Sequence, residues 1–418
     1  MTSQGEQLNT VRFKGKAAKT VFGTALFLFL VVCAELFRRM AVSYQGLFGT
    51  YYSDINVRLE MRDGSNTYSL FLIPEYFFAD HVNEPFGTFL IGVYLSLFTA
   101  GTVILLYLFL KQLCPDSGTG VLLFMSFVCM LSVPIVVAPL SEKIFSPYAG
   151  AVWHNETYIG MRFVALLILI YFFKTCGTYM ERFSLKGFIV SSLLFLAVNW
   201  IKPNFIIAFA PAMLVMMIID IIKAKGKGFV NWMLYGIPVL IGLLVLPFQF
   251  SSLFTETNAV NADNNAGIAF ILGDFILEQK HPVFNIIFAF AFPALMFILH
   301  RKEVVRSKFH LVCCLGWFFA FLEYAFLSET GWRRGHENFY WGVRFFSLVL
   351  FCLSVGFFIK DYQKNKALYG KSKDKDNRDK KKIHFNMFFV ETLLLAAHFF
   401  SGIFYFLLVL LGSRASAL

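Results

Sequence analysis

Long runs of apolar residues, uninterrupted by charge, recur from one end of the chain to the other. A helix that is hydrophobic on every side is either a membrane span or deeply buried core, and about 20 such residues cross a bilayer. The sequence therefore predicts an all-α polytopic membrane protein with about eleven transmembrane helices. The runs lie at 20–37, 86–110, 120–139, 161–174, 188–201, 204–222, 229–249, 283–299, 309–327, 341–359 and 385–411.

The composition excludes a soluble protein. Hydrophobic residues make up 58% of the chain and charged residues only 15%, whereas a soluble domain has about a quarter charged residues. No loop between the runs is large enough to form a separate folded domain. The predicted parts are a basic N-terminal segment at 1–19, a transmembrane domain at 20–359, a basic loop at 360–384, and a last helix with a short tail at 385–418.

Lysine and arginine residues mark one side of the predicted bundle. Four of them (Arg12, Lys14, Lys16 and Lys19) precede the first run, and 360–384 is also strongly basic. Because such residues collect in cytoplasmic loops, both segments are predicted to be cytoplasmic. The net charge of +11 then reflects topology. It requires no nucleic-acid partner, and the basic loop is expected to lie near anionic membrane lipid.

Residues capable of chemistry collect on the opposite, outer side. Most of the carboxylates and histidines outside the spans fall in the predicted outer segments, which are 38–85, 140–160, the turn at 202–203, 250–282 and 328–340. The cysteines lie in spans or inner loops, and no CxxC spacing occurs, so neither a disulfide framework nor a cysteine metal site is predicted. We expect the working face of the protein to be external.

Asp54 stands in the first outer segment, which is too long to be a simple connection. Tyrosine, phenylalanine and leucine alternate there with polar residues between Ala41 and Met61, which predicts a helix lying in the membrane interface. A carboxylate at that height is suited to removing a proton from a substrate hydroxyl. The alternative is that Asp54 caps the helix that follows.

Four short motifs resemble those of the GT-C superfamily of multispanning membrane glycosyltransferases. Residues 51–54 resemble the Tyr-x-Ser-Asp start of the first outer loop in that group. Residues 153–157 resemble a Trp-His-Asn-Pro-Thr loop, with Glu156 in place of the proline. Lys202-Pro203 resembles a Lys-Pro turn, and 329–342 resembles a Glu-x-Gly…Asn-Phe-x-Trp-Gly loop. The resemblance covers most of the chain, from about residue 40 to about 345.

The resemblance implies an inverting glycosyltransferase of the bacterial plasma membrane. Such an enzyme moves a sugar from a polyprenyl-phosphate donor to an envelope glycan or lipid acceptor on the outer face. By this resemblance Asp54 is the general base or a ligand of a divalent cation, Mg²⁺ or Mn²⁺. Glu60 and Asp80 are further carboxylates predicted to bind substrate.

Basic residues in the other outer loops are candidates for binding the donor phosphate. Lys202 lies between two short apolar runs, so its turn is expected below the outer surface, where a lysine needs an anionic partner; the alternative is a snorkelling lysine at a helix end. Arg333, Arg334 and His336 form a basic cluster that either binds phosphate or anchors the loop at the interface. His154 is interpreted as a residue that orients a sugar hydroxyl or transfers a proton, or as a structural histidine.

Two other functions remain open. Ionisable residues inside predicted spans (Glu35, Glu323, Glu391 and His398) are typical of transport pathways, so a transporter or flippase for lipid-linked sugars is one alternative. Glu391 and His398 share a helix face and can also simply pair with each other. The second alternative is a polysaccharide polymerase or O-antigen-ligase-like enzyme that uses the outer arginines and histidine.

Overall fold

The computed structural model describes residues 3–47, 50–51, 53–60, 69–137, 148–254, 267–271, 281–331, 338–371 and 378–412. These residues are mainly helical, and a short 3-10 turn at Leu70–Leu72 precedes the third α-helix. The helices are α1 (Ser3–Ala41), α2 (Asp54–Glu60), α3 (Ile73–His81), α4 (Glu84–Leu113), α5 (Thr119–Leu131), α6 (Glu156–Thr175), α7 (Leu185–Ile201), α8 (Asn204–Lys223), α9 (Phe229–Leu243), α10 (Leu246–Phe254), α11 (Pro282–Leu299), α12 (Arg301–Arg306), α13 (Lys308–Phe326), α14 (Tyr340–Lys371) and α15 (Arg378–Leu410).

Nine helical segments in this described part are long and apolar enough to cross a membrane. Two shorter apolar helices, α5 and α7, accompany them. Every predicted run thus corresponds to a helix, which supports a multi-pass membrane protein. The spans are Ala17–Ala41, Glu84–Leu113, Glu156–Thr175, Asn204–Lys223, Phe229–Ser251, Pro282–Leu299, Lys308–Phe326, Tyr340–Lys366 and Asn386–Leu410.

Helix α14 forms the centre of the bundle. Its apolar segment is wholly buried, and it contacts α4, α5, α8, α11, α13 and α15. By contrast, the spans of α1 and α15 are mostly exposed and lie at the periphery. The N-terminal turn of α14 carries Tyr340, Trp341 and Arg344, and all three side chains are buried. The central helix therefore delivers aromatic and cationic groups to one end of the bundle.

Two short strands were not expected in an all-α protein. Strand β1 (Ile268–Phe270) pairs antiparallel with β2 (Leu327–Glu329), and Ala269 lies opposite Ser328. Strand β2 follows α13 directly, so the pair connects the loop that contains β1 to the end of a long helix. Each strand has only three residues, and the architecture remains helical.

Helix α5 ends much earlier than the predicted span 120–139. It stops at Leu131, and residues 132–137 continue without helical structure. Pro134 explains the early end, because proline cannot donate a helical hydrogen bond and disfavours the α conformation of the residue before it.

Side chains of α15 satisfy the backbone of this non-helical segment. His398 Nδ1 donates to Val133 O at 2.7 Å, and Val136 N donates to Ser401 Oγ at 3.1 Å. Ile135 N also donates to Phe288 O at 3.0 Å. Both α15 residues lie in the middle of a candidate span. Non-helical backbone at that depth requires such partners, since lipid offers none.

The basic segment 360–384 is more helical than the loop predicted for it. Helix α14 continues to Lys371, and α15 begins at Arg378. Both helices therefore extend beyond their apolar spans.

His154 and His300 mark opposite ends of the bundle. The ring of His154 lies 6.1 Å from that of Trp341 at the start of α14. Twenty residues further along the same helix, Asp361 accepts a hydrogen bond from His300. At 1.5 Å per residue these positions are about 30 Å apart, the thickness of a bilayer core.

His300 holds the helices together at its end of the bundle. Its Nε2 lies 2.7 Å from Asp361 Oδ2 and its Nδ1 lies 3.2 Å from Glu303 Oε1. The ring stacks on Phe357 with the centroids 4.5 Å apart. Burial lowers the pKa of His300, but the hydrogen bonds and charges of Asp361 and Glu303 outweigh burial and raise the pKa above its usual value.

We expect His300→Gln to lower the melting temperature by about 2 to 5 °C at pH 6 and by clearly less at pH 9. A raised pKa in the folded state means that the stabilisation is complete below the unfolded value and is lost as the pH rises through the folded value. Thermal unfolding of the purified protein at the two pH values measures this. The exposed His81 provides the matched control, His81→Gln. An equal loss at both pH values would contradict the prediction.

Candidate functional site

Asp54 is the first residue of α2. Its backbone N–H donates to His154 O at 3.0 Å, which ties the start of the helix to a loop one hundred residues later. The hydroxyl of Ser53 accepts from Ile55 N at 3.2 Å, so Ser53 provides a local cap. The carboxylate of Asp54 reaches across to the Asn155 amide instead. Its side chain is 32% exposed and therefore accessible to a substrate.

Asn155 connects Asp54 to helix α6. It is the N-cap of α6, and its Oδ1 accepts from Tyr158 N at 2.8 Å and from Thr157 Oγ1 at 3.0 Å. Its Nδ2 donates to Asp54 Oδ2. Asparagine is favoured at an N-cap for this accepting role, and the other half of its amide remains free to donate. The cap of one helix thereby orients the carboxylate at the start of another.

Arg58 lies one turn after Asp54, on the same face of α2. Its Nη1 is 2.6 Å from Glu156 Oε1, and its Nη2 is 3.9 Å from Asp54 Oδ2. Glu156 is fully buried, whereas Arg58 retains some exposure. Arg58 therefore neutralises a buried carboxylate and also contributes positive charge beside Asp54.

Glu75 brings a third carboxyl group to the same region from α3. It is only 1% exposed, and its Oε1 has no hydrogen-bond partner in the described part of the chain. Burial and the neighbouring charge of Glu156 raise the pKa of Glu75 well above its usual value, against a smaller opposite effect of Arg58. These surroundings therefore favour the neutral form of the Glu75 carboxyl group.

Lys202 reaches the same site from the turn between α7 and α8. It is only 4% exposed, and its Nζ donates to Thr157 Oγ1 at 3.2 Å. The ammonium also lies 4.6 Å from the centre of the Trp341 ring. Burial is the main cause that lowers the pKa of Lys202 to about 7, followed by the charge of Arg58; the neighbouring carboxylates act in the opposite direction. An anion bound beside this lysine would stabilise its charged form.

The side chains of Asp54, Arg58, Glu75, Asn155, Glu156, Thr157 and Lys202 form the Asp54 cluster. A continuous set of hydrogen bonds leads from the Asp54 carboxylate through Asn155 and Thr157 to the Lys202 ammonium. Buried polar groups joined in this way hold one arrangement. The cluster thus presents an exposed carboxylate and a buried cation in fixed relation to each other.

The electrostatic environment leaves Asp54 ionised and His154 neutral at pH 7. Burial opposes ionisation of Asp54, but His154, Arg58, the Asn155 amide and Lys202 together lower its pKa below the usual value. Burial is the main cause that lowers the pKa of His154 to about 4. The charge of Asp54 acts in the opposite direction, and the charges of Arg344, Lys202 and Arg58 lower the pKa further. A carboxylate and a neutral imidazole are both acceptors of protons.

Three of the residues predicted from sequence meet at this site. Asp54, His154 and Lys202 lie together. Glu60 and Asp80 are exposed near the C-terminal ends of α2 and α3, and we do not assign them to the cluster. Arg333, Arg334 and His336 lie outside the described residues.

Sequence reasoning missed Arg58, Glu75 and the amide of Asn155 as members of the site. The spacing of Asp54 and Arg58 was a usable signal, because residues four apart on a helix face each other. In the sequence motif Glu156 stands where proline is usual, and in the structure it is the buried partner of Arg58. Nothing in the sequence indicated the approach of Glu75, which depends on how α3 packs.

The described residues do not provide a ligand set for the Mg²⁺ or Mn²⁺ ion that the family resemblance implies. Among them, no three histidine, cysteine, aspartate or glutamate side chains are placed to share a metal ion. The carboxylates at the site already face Arg58 and the Asn155 amide.

Ionisable residues inside the spans behave differently from one another. Glu35 pairs with Arg38 and Arg39, each at 2.7 Å. The interpretation that Glu391 and His398 pair is not supported, because His398 Nδ1 donates to Val133 O instead. Glu323 and Glu391 each have a buried carboxyl oxygen without a hydrogen-bond partner within the described ranges.

No protein-family model and no curated protein matches this chain significantly.

Proposed function

We propose that the protein is a glycosyltransferase of the GT-C type, which moves a sugar from a polyprenyl-phosphate donor to an envelope glycan or lipid acceptor. The observation that carries the proposal is the hydrogen-bonded connection from the Asp54 carboxylate to the Lys202 ammonium. Transfer from a lipid phosphate needs a proton acceptor for the incoming hydroxyl and a cation for the departing phosphate. The Asp54 cluster supplies one of each at one end of a helical bundle.

In this mechanism Asp54 accepts the proton of the acceptor hydroxyl. The hydroxyl oxygen forms a bond to C1 of the sugar while the bond between C1 and the phosphate oxygen breaks, and the electron pair leaves with polyprenyl phosphate. A single displacement of this kind inverts the configuration at C1. Asp54 suits the role because it is ionised and because its carboxylate is the most exposed in the Asp54 cluster. Contacts with Arg58 and Asn155 hold this carboxylate in place.

Lys202 and Arg58 would stabilise the charge that develops on the leaving phosphate. Preorganised cations in a site with little water are more effective than the same groups in solution. An anionic donor beside them would also offset the positive field that now lowers the pKa of Asp54. Donor binding would therefore raise the basicity of Asp54 when the acceptor arrives.

A cell that lacks the protein tests the proposed function directly. We expect lipid-linked sugar to accumulate and one glycan component of the envelope to disappear, with both restored by expression of the wild-type chain. Purified protein in liposomes should release polyprenyl phosphate from such a donor only when an acceptor is present. Unchanged lipid-linked sugars and glycans in the deletion strain would exclude the proposal.

The charge on Lys202 should control how the reaction depends on pH. With a pKa of about 7, the free enzyme loses its ammonium as the pH rises through neutrality, so kcat/KM should fall on the alkaline side of pH 7. Lys202→Arg keeps the charge at every accessible pH and should extend activity to higher pH. Lys202→Met should raise KM for the donor by about ten- to a hundredfold, because a hydrogen bond to a charged group contributes about 1.5 to 3 kcal/mol.

The pH profile of the arginine variant provides the control for this prediction. If Lys202→Arg and the wild type lose activity at the same pH, the titrating group is not Lys202. If Lys202→Met leaves KM for the donor unchanged, Lys202 does not contact the donor phosphate.

Transport of a lipid-linked sugar is a second candidate function. It is favoured by the buried carboxyl oxygens of Glu323 and Glu391, which have no hydrogen-bond partner in the described segments, since intramembrane ionisable groups are typical of proton-coupled pathways. A liposome assay that follows translocation of a fluorescent lipid-linked sugar distinguishes the two. Translocation without transfer, abolished by Glu323→Gln and unaffected by Asp54→Asn, would favour the transporter.

A further inference from the structure

Arg162 is a fully buried arginine in the membrane-spanning part of α6. It follows Glu156 by six residues and so lies about 9 Å further along the helix axis. Its Nη1 donates to Gly150 O at 3.2 Å, and its guanidinium lies 5.5 Å from the centre of the Tyr158 ring. Its Nε and Nη2 have no hydrogen-bond partner among the described residues, and no described carboxylate forms an ion pair with it.

A second donor lies unsatisfied in the adjacent loop. Trp153 is fully buried, and its indole Nε1 has no hydrogen-bond partner in the described part of the protein. Arg162 acts electrostatically on Cys33 of α1, and the Trp153 ring packs against Phe29 one turn earlier on the same helix. Both side chains therefore lie near the same stretch of α1.

A second arginine adds positive charge to this region. Arg344 of α14 is also buried, and its charge acts on the Tyr158 phenol, as does the charge of Arg162 on α6. A buried guanidinium without a counter-ion is destabilising, so such groups are normally paired. Unsatisfied donors on a buried guanidinium and a buried indole are the chemistry of an anion site.

We propose that Arg162 and the Trp153 indole bind a phosphate group, at a site separate from the Asp54 cluster. The peripheral position of α1 and α15, whose Phe29 and Phe406 contact Trp153, places this site one helix layer away from the surrounding lipid. The phosphate of an isoprenoid lipid can thus approach between these two helices. Free inorganic phosphate shares the same chemistry, and the experiment separates the two sources.

The first test measures phosphate binding to the delipidated protein in detergent. The probes are farnesyl phosphate, farnesol and inorganic phosphate, and all variants carry Lys202→Met, which removes the buried lysine of the Asp54 cluster and leaves Arg58 the same in every variant. We expect farnesyl phosphate, but not farnesol, to raise the melting temperature. Trp153→Phe and Arg162→Lys should each weaken this binding at least about tenfold, since one removes a single donor and the other removes the planar fork. Unchanged affinity in both variants would overturn the proposal.

The inorganic phosphate arm identifies the source. Equal affinity for inorganic phosphate and farnesyl phosphate indicates a free-anion site, whereas binding of farnesyl phosphate alone indicates a lipid-phosphate site. Both results support the proposal. Because the compared proteins share the Lys202→Met background and retain Arg58, a loss of binding in Trp153→Phe or Arg162→Lys is assigned to the second site, whether or not the protein is a glycosyltransferase.

A second measurement needs no ligand. If Arg162 binds an anion, its charge is uncompensated in the protein without a ligand. Replacing Arg162 by an apolar residue should then stabilise the ligand-free protein, as in other exchanges of buried charged groups for apolar ones. We expect Arg162→Met to raise the melting temperature of the delipidated protein and to abolish farnesyl phosphate binding. A lower melting temperature would assign Arg162 a purely structural role on Gly150 and Tyr158, and would overturn the proposal.

Discussion

Asp54→Asn is expected to reduce sugar transfer by about a hundredfold to ten-thousandfold, the usual contribution of a positioned general base. The asparagine oxygen can still accept the hydrogen bond from Asn155, and Arg58 keeps its ion pair with Glu156. The variant should therefore fold and accumulate normally, so that the loss concerns the chemistry alone. In cells it should lead to accumulation of lipid-linked sugar and loss of the glycan product.

The matched control for this variant is Glu84→Gln. Glu84 is an exposed carboxylate at the start of α4, at the same end of the bundle as Asp54. Its replacement should leave transfer unchanged when both variants are assayed at equal protein level. Full activity of Asp54→Asn would remove Asp54 from the chemistry, and Arg333, Arg334 and His336 would become the next residues to replace, as the ligase-like alternative requires.

Glu156→Gln is expected to produce the largest loss of stability. Glu156 is fully buried with its Oε1 2.6 Å from Arg58 Nη1, and breaking a buried ion pair costs about 3 to 5 kcal/mol. The lower end of that range applies, because Arg58 is partly exposed and retains Asp54 at 3.9 Å. The melting temperature should fall by roughly 5 to 10 °C, whereas the exposed Glu181→Gln should not change it.

A double-variant cycle with Arg58→Met separates pairing from packing. If the loss comes from an unpaired buried charge, the Glu156→Gln, Arg58→Met protein should be more stable than the sum of the two single losses predicts. Strict additivity of the losses would show that the two side chains contribute independently. It would also remove the reason for regarding Arg58 as a cation held in place for Asp54.

The sequence was informative wherever a property depended on neighbouring residues along the chain. Apolar runs identified the helices, and short motifs brought Asp54, His154 and Lys202 forward as candidates. Pro134 is a signal for the early end of α5, but the run around it is apolar and therefore predicts a full span. Local periodicity cannot show where a helix inside the membrane stops when the residues that replace its hydrogen bonds, His398 and Ser401, are distant in sequence.

Contacts between distant segments were the part that sequence reasoning could not supply. The amide of Asn155 reaches Asp54 because α2 and α6 begin beside each other. Glu75 joins the site through the packing of α3. Arg162 and Trp153 are candidates for anion binding because their buried nitrogens lack hydrogen-bond acceptors. The sequence cannot show this, since it does not give the surroundings of each nitrogen.

The segment that precedes Asp54 is attached to the end of α15. The hydroxyl of Tyr51 donates to Leu410 O, and Leu47 N donates to Leu411 O at 2.9 Å. These partners leave the ribosome long after Asp54 does, roughly 20 to 70 s later at ordinary rates of translation. During synthesis the candidate active-site loop therefore lacks these contacts until a helix more than three hundred residues later has been made. We expect the nascent protein to become active only when α15 has been inserted into the bilayer.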